Sequence, residues 1–141
     1  MLHRLRTPRF RNWAGNQRCR PARYATPRSE GELRRLVREA RQSGHNLRVV
    51  GAGHSWSPLV PTDGWILSLD RLGAPVEVDR RRRRVTVQAG MRLKALNAWL
   101  ARHGLALRNL GSISEQSVAG ALATGTHGTG VRHPILSTAL V

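Results

Sequence analysis

The run Asn46-Leu47-Arg48-Val49-Val50 reads as a strand, and it leads without a break into Gly51-Ala52-Gly53-His54-Ser55-Trp56-Ser57. Two glycines bracketing one alanine let a backbone turn sharply and bring its N–H groups close to a bulky anion, usually a phosphate. The residues after the loop restrict the fold further. Pro58 comes almost at once, Pro61-Thr62-Asp63-Gly64 makes a turn, and Trp65 to Leu69 is the next apolar run. No helix fits between the two strands. In dinucleotide-binding folds the glycine loop opens a helix that holds the pyrophosphate, so this loop does not belong to a domain of that kind.

Around that segment the pattern alternates between helices and short strands. Ser29-Glu30-Gly31-Glu32 starts a helix, with serine as N-cap and acids in the first turn, where the helix dipole favours them. Leu33, Leu36, Val37 and Ala40 form its apolar stripe, and Gly44 ends it. Val76 to Val78 and Arg84 to Ala89 read as an antiparallel pair across the turn Arg80 to Arg84. An amphipathic helix runs from about Arg92 to Arg102 and is closed by Gly104. Leu105 to Leu110 reads as extended, and Val118 to Ala123 as one or two helical turns. The class is α+β, with no internal repeat.

A second loop of small residues spans Gly111-Ser112-Ile113-Ser114-Glu115-Gln116-Ser117-Val118-Ala119-Gly120-Ala121-Leu122-Ala123-Thr124-Gly125-Thr126-His127-Gly128-Thr129-Gly130. Hydroxyls interleaved with glycines make a close-approach surface rich in small donors, suited to a ligand with two phosphates. A flexible Ser/Gly linker would have a similar composition. The apolar cluster Val118, Ala119, Ala121, Leu122 and Ala123 asks for burial and argues against a linker.

Together the two loops resemble the FAD-binding domain of the aldonolactone and alditol oxidases, within the vanillyl-alcohol-oxidase superfamily. The resemblance covers about residues 11–141. It implies a PCMH-type domain of two small α/β subdomains, preceded by a basic segment over residues 1–10. It also implies a sugar-lactone or alditol oxidase that moves a hydride from a substrate CH–OH to FAD and is reoxidised by O2, giving H2O2. A related dehydrogenase with another electron acceptor is the alternative. Carried over residue by residue, the first loop (Val50, Gly51, Ala52, Gly53, His54, Ser55 and Trp56) holds the cofactor, and His54 bonds covalently to the flavin. In the second loop Gly111, Ser112, Ser117, Gly120, Ala121, Leu122, Ala123, Thr124, Gly125, His127 and Gly128 face the FAD.

The residues themselves leave some roles open. His54 also reads as a loop histidine bonded to its own backbone, and His127 as a lock on the second loop. Gly111 is either the open flavin edge through which O2 approaches or a turn glycine. Trp13, Trp56, Trp65 and Trp99 read as core or subdomain-contact residues, with Trp56 near enough to His54 to touch the flavin environment. Asp63 reads as a turn former. The resembled family keeps its substrate pocket and proton-abstracting residue further along the chain, so the 141 residues read as an N-terminal part with an incomplete FAD-binding domain. No catalytic residue and no metal site is assigned.

The formal charge of +16 raises the question of a basic nucleic-acid-binding module. The arginines are scattered over the chain, however, and Arg80 to Arg84 is the one dense run. Aromatic residues make up 4%, too few for the stacking platforms of single-strand binders. Nucleic acid is therefore not the expected partner. Cys19 is the one cysteine, which excludes an internal disulfide. No apolar run approaches the roughly 20 residues that cross a bilayer, and a cytoplasmic location is expected.

Overall fold

The computed structural model describes residues 8–141. Most of the basic segment read over residues 1–10 therefore lies outside the described residues, and its last member, Phe10, is already built into the fold. The chain divides into two compact units, one ending at Arg71 and the other spanning Leu72–Val141.

In the first unit, β1 (Phe10–Arg11) pairs antiparallel with β2 (Arg18–Cys19). β3 (Arg23–Ala25), α1 (Glu30–Gln42), β4 (Leu47–Val50) and β5 (Trp65–Ser68) come next. The sheet order is β3-β5-β4 with all strands parallel, so the last strand inserts between the two that flank α1. Being central, β5 is buried along its whole length, and its alternation divides the core. Trp65 and Leu67 pack with Leu36 and Ala40 of α1. Ile66 packs instead with Phe10 and Val50.

α1 begins as its composition dictates. The Ser29 hydroxyl accepts from the Glu32 N–H (3.1 Å), and the Glu32 carboxylate accepts from the Arg28 N–H (2.9 Å). Of the apolar stripe, Leu36 and Ala40 are buried and Leu33 half-buried, whereas Val37 lies 45% exposed at its margin. Arg23 reaches from β3 to lie over the Trp65 ring at 4.5 Å and to meet Glu39 at 2.9 Å.

In the second unit, β6 (Pro75–Asp79) and β7 (Arg84–Val87) form the antiparallel pair. α2 (Leu93–Arg102) and α3 (Val118–Ala123) come after it, and then a 3-10 turn over Leu136–Ala139. Met91, Leu93, Leu96 and Leu100 pack with Ala121 and Leu136, and Trp99 leans on that core.

The structure adds one feature to the sequence reading, corrects a second and narrows a third. Residues 10–25 hold three short strands where no periodicity is visible, because two or three residues display too little alternation. Leu105 to Leu110 is irregular rather than extended in a sheet. Trp13 and Trp56 are each 66% exposed, so only Trp65 and Trp99 serve the cores.

Candidate functional site

Within the first unit, the glycine loop leaves β4 and is held from one side by the β1–β2 hairpin. Trp13 N–H donates to the Gly53 carbonyl (2.8 Å), Asn12 Nδ2 to that of Ser55 (2.9 Å), and Asn16 Nδ2 and Gln17 Nε2 to that of Trp56 (both 3.1 Å). Asn12 is 5% exposed yet fully used, since its Nδ2 also meets Asn16 Oδ1 (2.7 Å) and its Oδ1 accepts from Gln17 N–H (3.0 Å). A buried amide costs little only when satisfied in this way.

The hairpin thus takes the carbonyls of the loop and leaves its donors. Among the described residues, the N–H groups of Ala52, Gly53, His54 and Ser55 donate to no protein acceptor. Gly53 has φ +69°, a left-handed conformation that an L side chain strains, so glycine is required there. A short run of free donors around a left-handed glycine suits an anion such as a pyrophosphate. Of the predicted residues in this loop, Val50 alone buries its side chain, in the core with Phe10 and Ile66. Only its backbone remains for a ligand.

His54 is half-buried, and no hydrogen bond holds its ring among the described residues. The reading as a histidine bonded to its own backbone is therefore not met. Its ring contact is Trp13, whose indole lies with ring centroids 5.2 Å apart at 31°.

In the second unit the second loop is anchored by the same division of labour. Leu93 and Lys94, which open α2, donate their N–H groups to the Gln116 and Ser114 carbonyls (2.9 and 2.8 Å). The N–H groups of Gly111, Ser112, Ile113, Ser114 and Glu115 have no protein acceptor among the described residues. Ser112 is exposed, whereas Ser117 is 1% exposed and spends its hydroxyl capping α3 on the Gly120 N–H (3.2 Å). Ala121 is buried in the core and Leu122 packs against it, while Gly120 and Ala123 complete α3. Thr124 bonds back to the Gly120 carbonyl, Gly125 turns with φ +65°, and Gln116 Nε2 ties down the Thr126 hydroxyl (3.1 Å).

His127 is exposed and its Nδ1 lies 2.8 Å from the Gly128 carbonyl, the local lock that was one of its two readings. Gly128 is enforced by close approach, because a Cβ there would stand 2.5 Å from the Leu110 carbonyl oxygen. Gly111 does not have a positive φ, so backbone conformation does not require it. Among the described residues, no group of three His, Cys, Asp or Glu is placed to hold a metal ion, and no helix is long and apolar enough to cross a membrane.

The sequence reading missed Asn12, Asn16 and Gln17. Three side-chain amides within six residues, in a stretch without periodicity, were the available signal.

Compared with known proteins, residues 21–139 match the family described as FAD binding domain. The chain belongs to that family. FAD is accordingly the cofactor of the domain, and the free donors of both loops fit it. Over all 141 residues the FAD-binding chain is 41% identical to mouse (Mus musculus) L-gulonolactone oxidase, covering 32% of that protein. It is 46% identical over 136 residues to D-arabinono-1,4-lactone oxidase of Eremothecium gossypii, covering 94% of this chain and 26% of the relative. It is also 41% identical over 135 residues to L-gulono-1,4-lactone dehydrogenase of Mycobacterium tuberculosis, covering 96% and 32%. The chain thus spans about a third or less of these relatives. Among solved structures, a solvent-stable cholesterol oxidase superposes with a TM-score of 0.75 at 28% identity, over 87% of this chain and 24% of that one. The α+β, PCMH-type fold expected from the two loops is borne out.

Proposed function

We propose that the protein carrying this FAD-binding domain is an oxidase of sugar lactones or alditols, with FAD attached covalently through His54. The observation that carries the reading is His54 itself, a half-buried imidazole with no hydrogen bond, adjoining a run of unpartnered N–H donors. The named lactone oxidases supply the substrate class. When bound, FAD accepts a hydride from the substrate carbinol carbon and returns the electrons to O2 as H2O2.

This chain's contribution is binding and attachment. The free N–H groups of Ala52, Gly53, His54 and Ser55 would hold the pyrophosphate, and His54 would provide the attachment point. Attachment would join the imidazole nitrogen of His54 to the 8α-methyl carbon of the flavin, each giving up one proton, with O2 as the two-electron acceptor and H2O2 as the by-product.

In full-length protein precipitated with acid, flavin should remain with the polypeptide, and His54→Ala should release it. Flavin that washes out of the wild type as freely as from the variant would sink the covalent assignment. H2O2 formed in proportion to lactone consumed tests the oxidase assignment. The second reading, a dehydrogenase, is favoured by the relative from Mycobacterium tuberculosis, and it predicts turnover with an artificial acceptor but little with O2.

A further inference from the structure

We infer that Trp13 is a positioning residue for His54, its indole forming the wall that fixes the imidazole for attachment to the flavin. The inference rests on the covalent reading of His54 proposed above, and three observations in the first unit carry it.

The first is an exposure that packing does not explain. Trp13 is 66% exposed and belongs to none of the apolar clusters. Aromatic side chains usually bury most of their area, and this one has the imidazole of His54 as its ring partner. The second is the absence of a hydrogen bond on that imidazole. No hydrogen bond selects the rotamer of His54 among the described residues, and its ring contact is the tilted one with Trp13 at 5.2 Å. The third is the rigidity of the wall. The Trp13 N–H is bonded to the Gly53 carbonyl, one residue before His54, and the neighbouring Asn12 is buried and bonded to the Ser55 carbonyl, one residue after it. Backbone and ring on one side therefore grip backbone and ring on the other.

A nucleophile approaching carbon must hold its lone pair in line, and loss of that alignment costs rate rather than binding. The pyrophosphate donors are backbone groups of the loop, which no change in the Trp13 side chain removes. Trp13 should therefore govern how fast the bond forms and leave the amount of FAD bound unaltered.

The test uses the full-length protein prepared without flavin and then supplied with FAD. Trp13→Ala should slow the appearance of acid-stable flavin by at least about tenfold while total bound FAD stays at the wild-type level. Trp13→Phe, which restores an aromatic wall, should recover most of the rate. Because Trp13 is outside the cores, a purely structural role predicts no such split. Independently of attachment, the ring C–H signals of His54 in 13C-histidine-labelled protein, identified by their loss in His54→Ala, should move in Trp13→Ala as the indole ring current is removed. If the wild type itself retains no flavin in acid, the covalent reading of His54 falls and the inference falls with it, whereas acid-stable flavin in the wild type that forms equally fast in Trp13→Ala overturns the inference alone.

Discussion

A Cβ at position 111 would stand 2.9 Å from the Thr126 methyl group, so the bare glycine is matched to its neighbour as well as to any ligand. If the open side of Gly111 is where O2 reaches the flavin, Gly111→Ala should slow reoxidation of the reduced full-length enzyme far more than its reduction by substrate. Stopped-flow measurement of the two half-reactions decides it. Overpacking by one methyl also costs ~1–3 kcal/mol, which would act through Thr126 and the Gln116 bond that holds it. Equal slowing of both halves would therefore assign Gly111 to the shape of the loop. At this scale the sequence was most legible where a residue has few alternatives. The left-handed Gly53 and the histidine after it could be recognised from the string, because glycine at a strand end has a narrow set of uses. Asn12 could not be, since its value lies in five bonds closed by residues up to 43 positions away.

Elements that carry their own signals were read correctly, and those that borrow stability from elsewhere were not. α1 has its cap, its acids and its stripe in thirteen consecutive residues. β3 has three residues and becomes a strand by pairing with β5, 42 positions on, so nothing local announces it. Glu39 shows how such an element is secured: hydrogen bonds from Arg23 of β3 and then from Arg35 on its own helix hold its carboxyl below the ordinary glutamate range. A depressed folded pKa stabilises above the unfolded value and is lost as the pH falls through the folded one. Glu39→Gln should thus lower the melting temperature of the full-length protein near neutrality, and the gap should narrow as the pH drops below ~4.3. A gap that persists unchanged at low pH would mean that the pairs contribute nothing. The β6–β7 turn makes the opposite case. Among the described residues it is tied by the Asp79 carboxylate, which accepts from the Arg82 guanidinium (3.0 Å) and from the Arg82 N–H (2.9 Å), and both Arg81 and Arg82 are exposed. Replacing Arg81, Arg82 and Arg83 by serine should leave flavin content within about twofold, as surface changes shift stability by ~0.5 kcal/mol or less. A large loss of flavin would place the run in the site.

Taken as a whole, the chain carries a charge of +16 that could draw polyanions, and the question is whether that charge has an address. The structure distributes it. Arg34, Arg35, Arg38 and Arg41 lie along α1, Arg11 and Arg18 on the first hairpin, and Arg80 to Arg84 around the β6–β7 turn. Several are already paired, with Glu30, Glu39 and Asp79. The aromatic residues that could stack on bases are few, and Trp65 is buried while Trp13 lies against His54. Scattered charge of this kind gives sequence-independent attraction that weakens steeply with salt, with dissociation constants of roughly 10⁻⁴–10⁻⁶ M at physiological salt. Full-length protein loaded with FAD should accordingly keep its flavin when challenged with duplex DNA or single-stranded RNA, and any retention on nucleic acid should vanish as salt is raised to about 0.3 M. Binding that prefers one sequence, survives that salt and expels FAD would reverse the assignment, because the loop donors would then be serving phosphates of another kind.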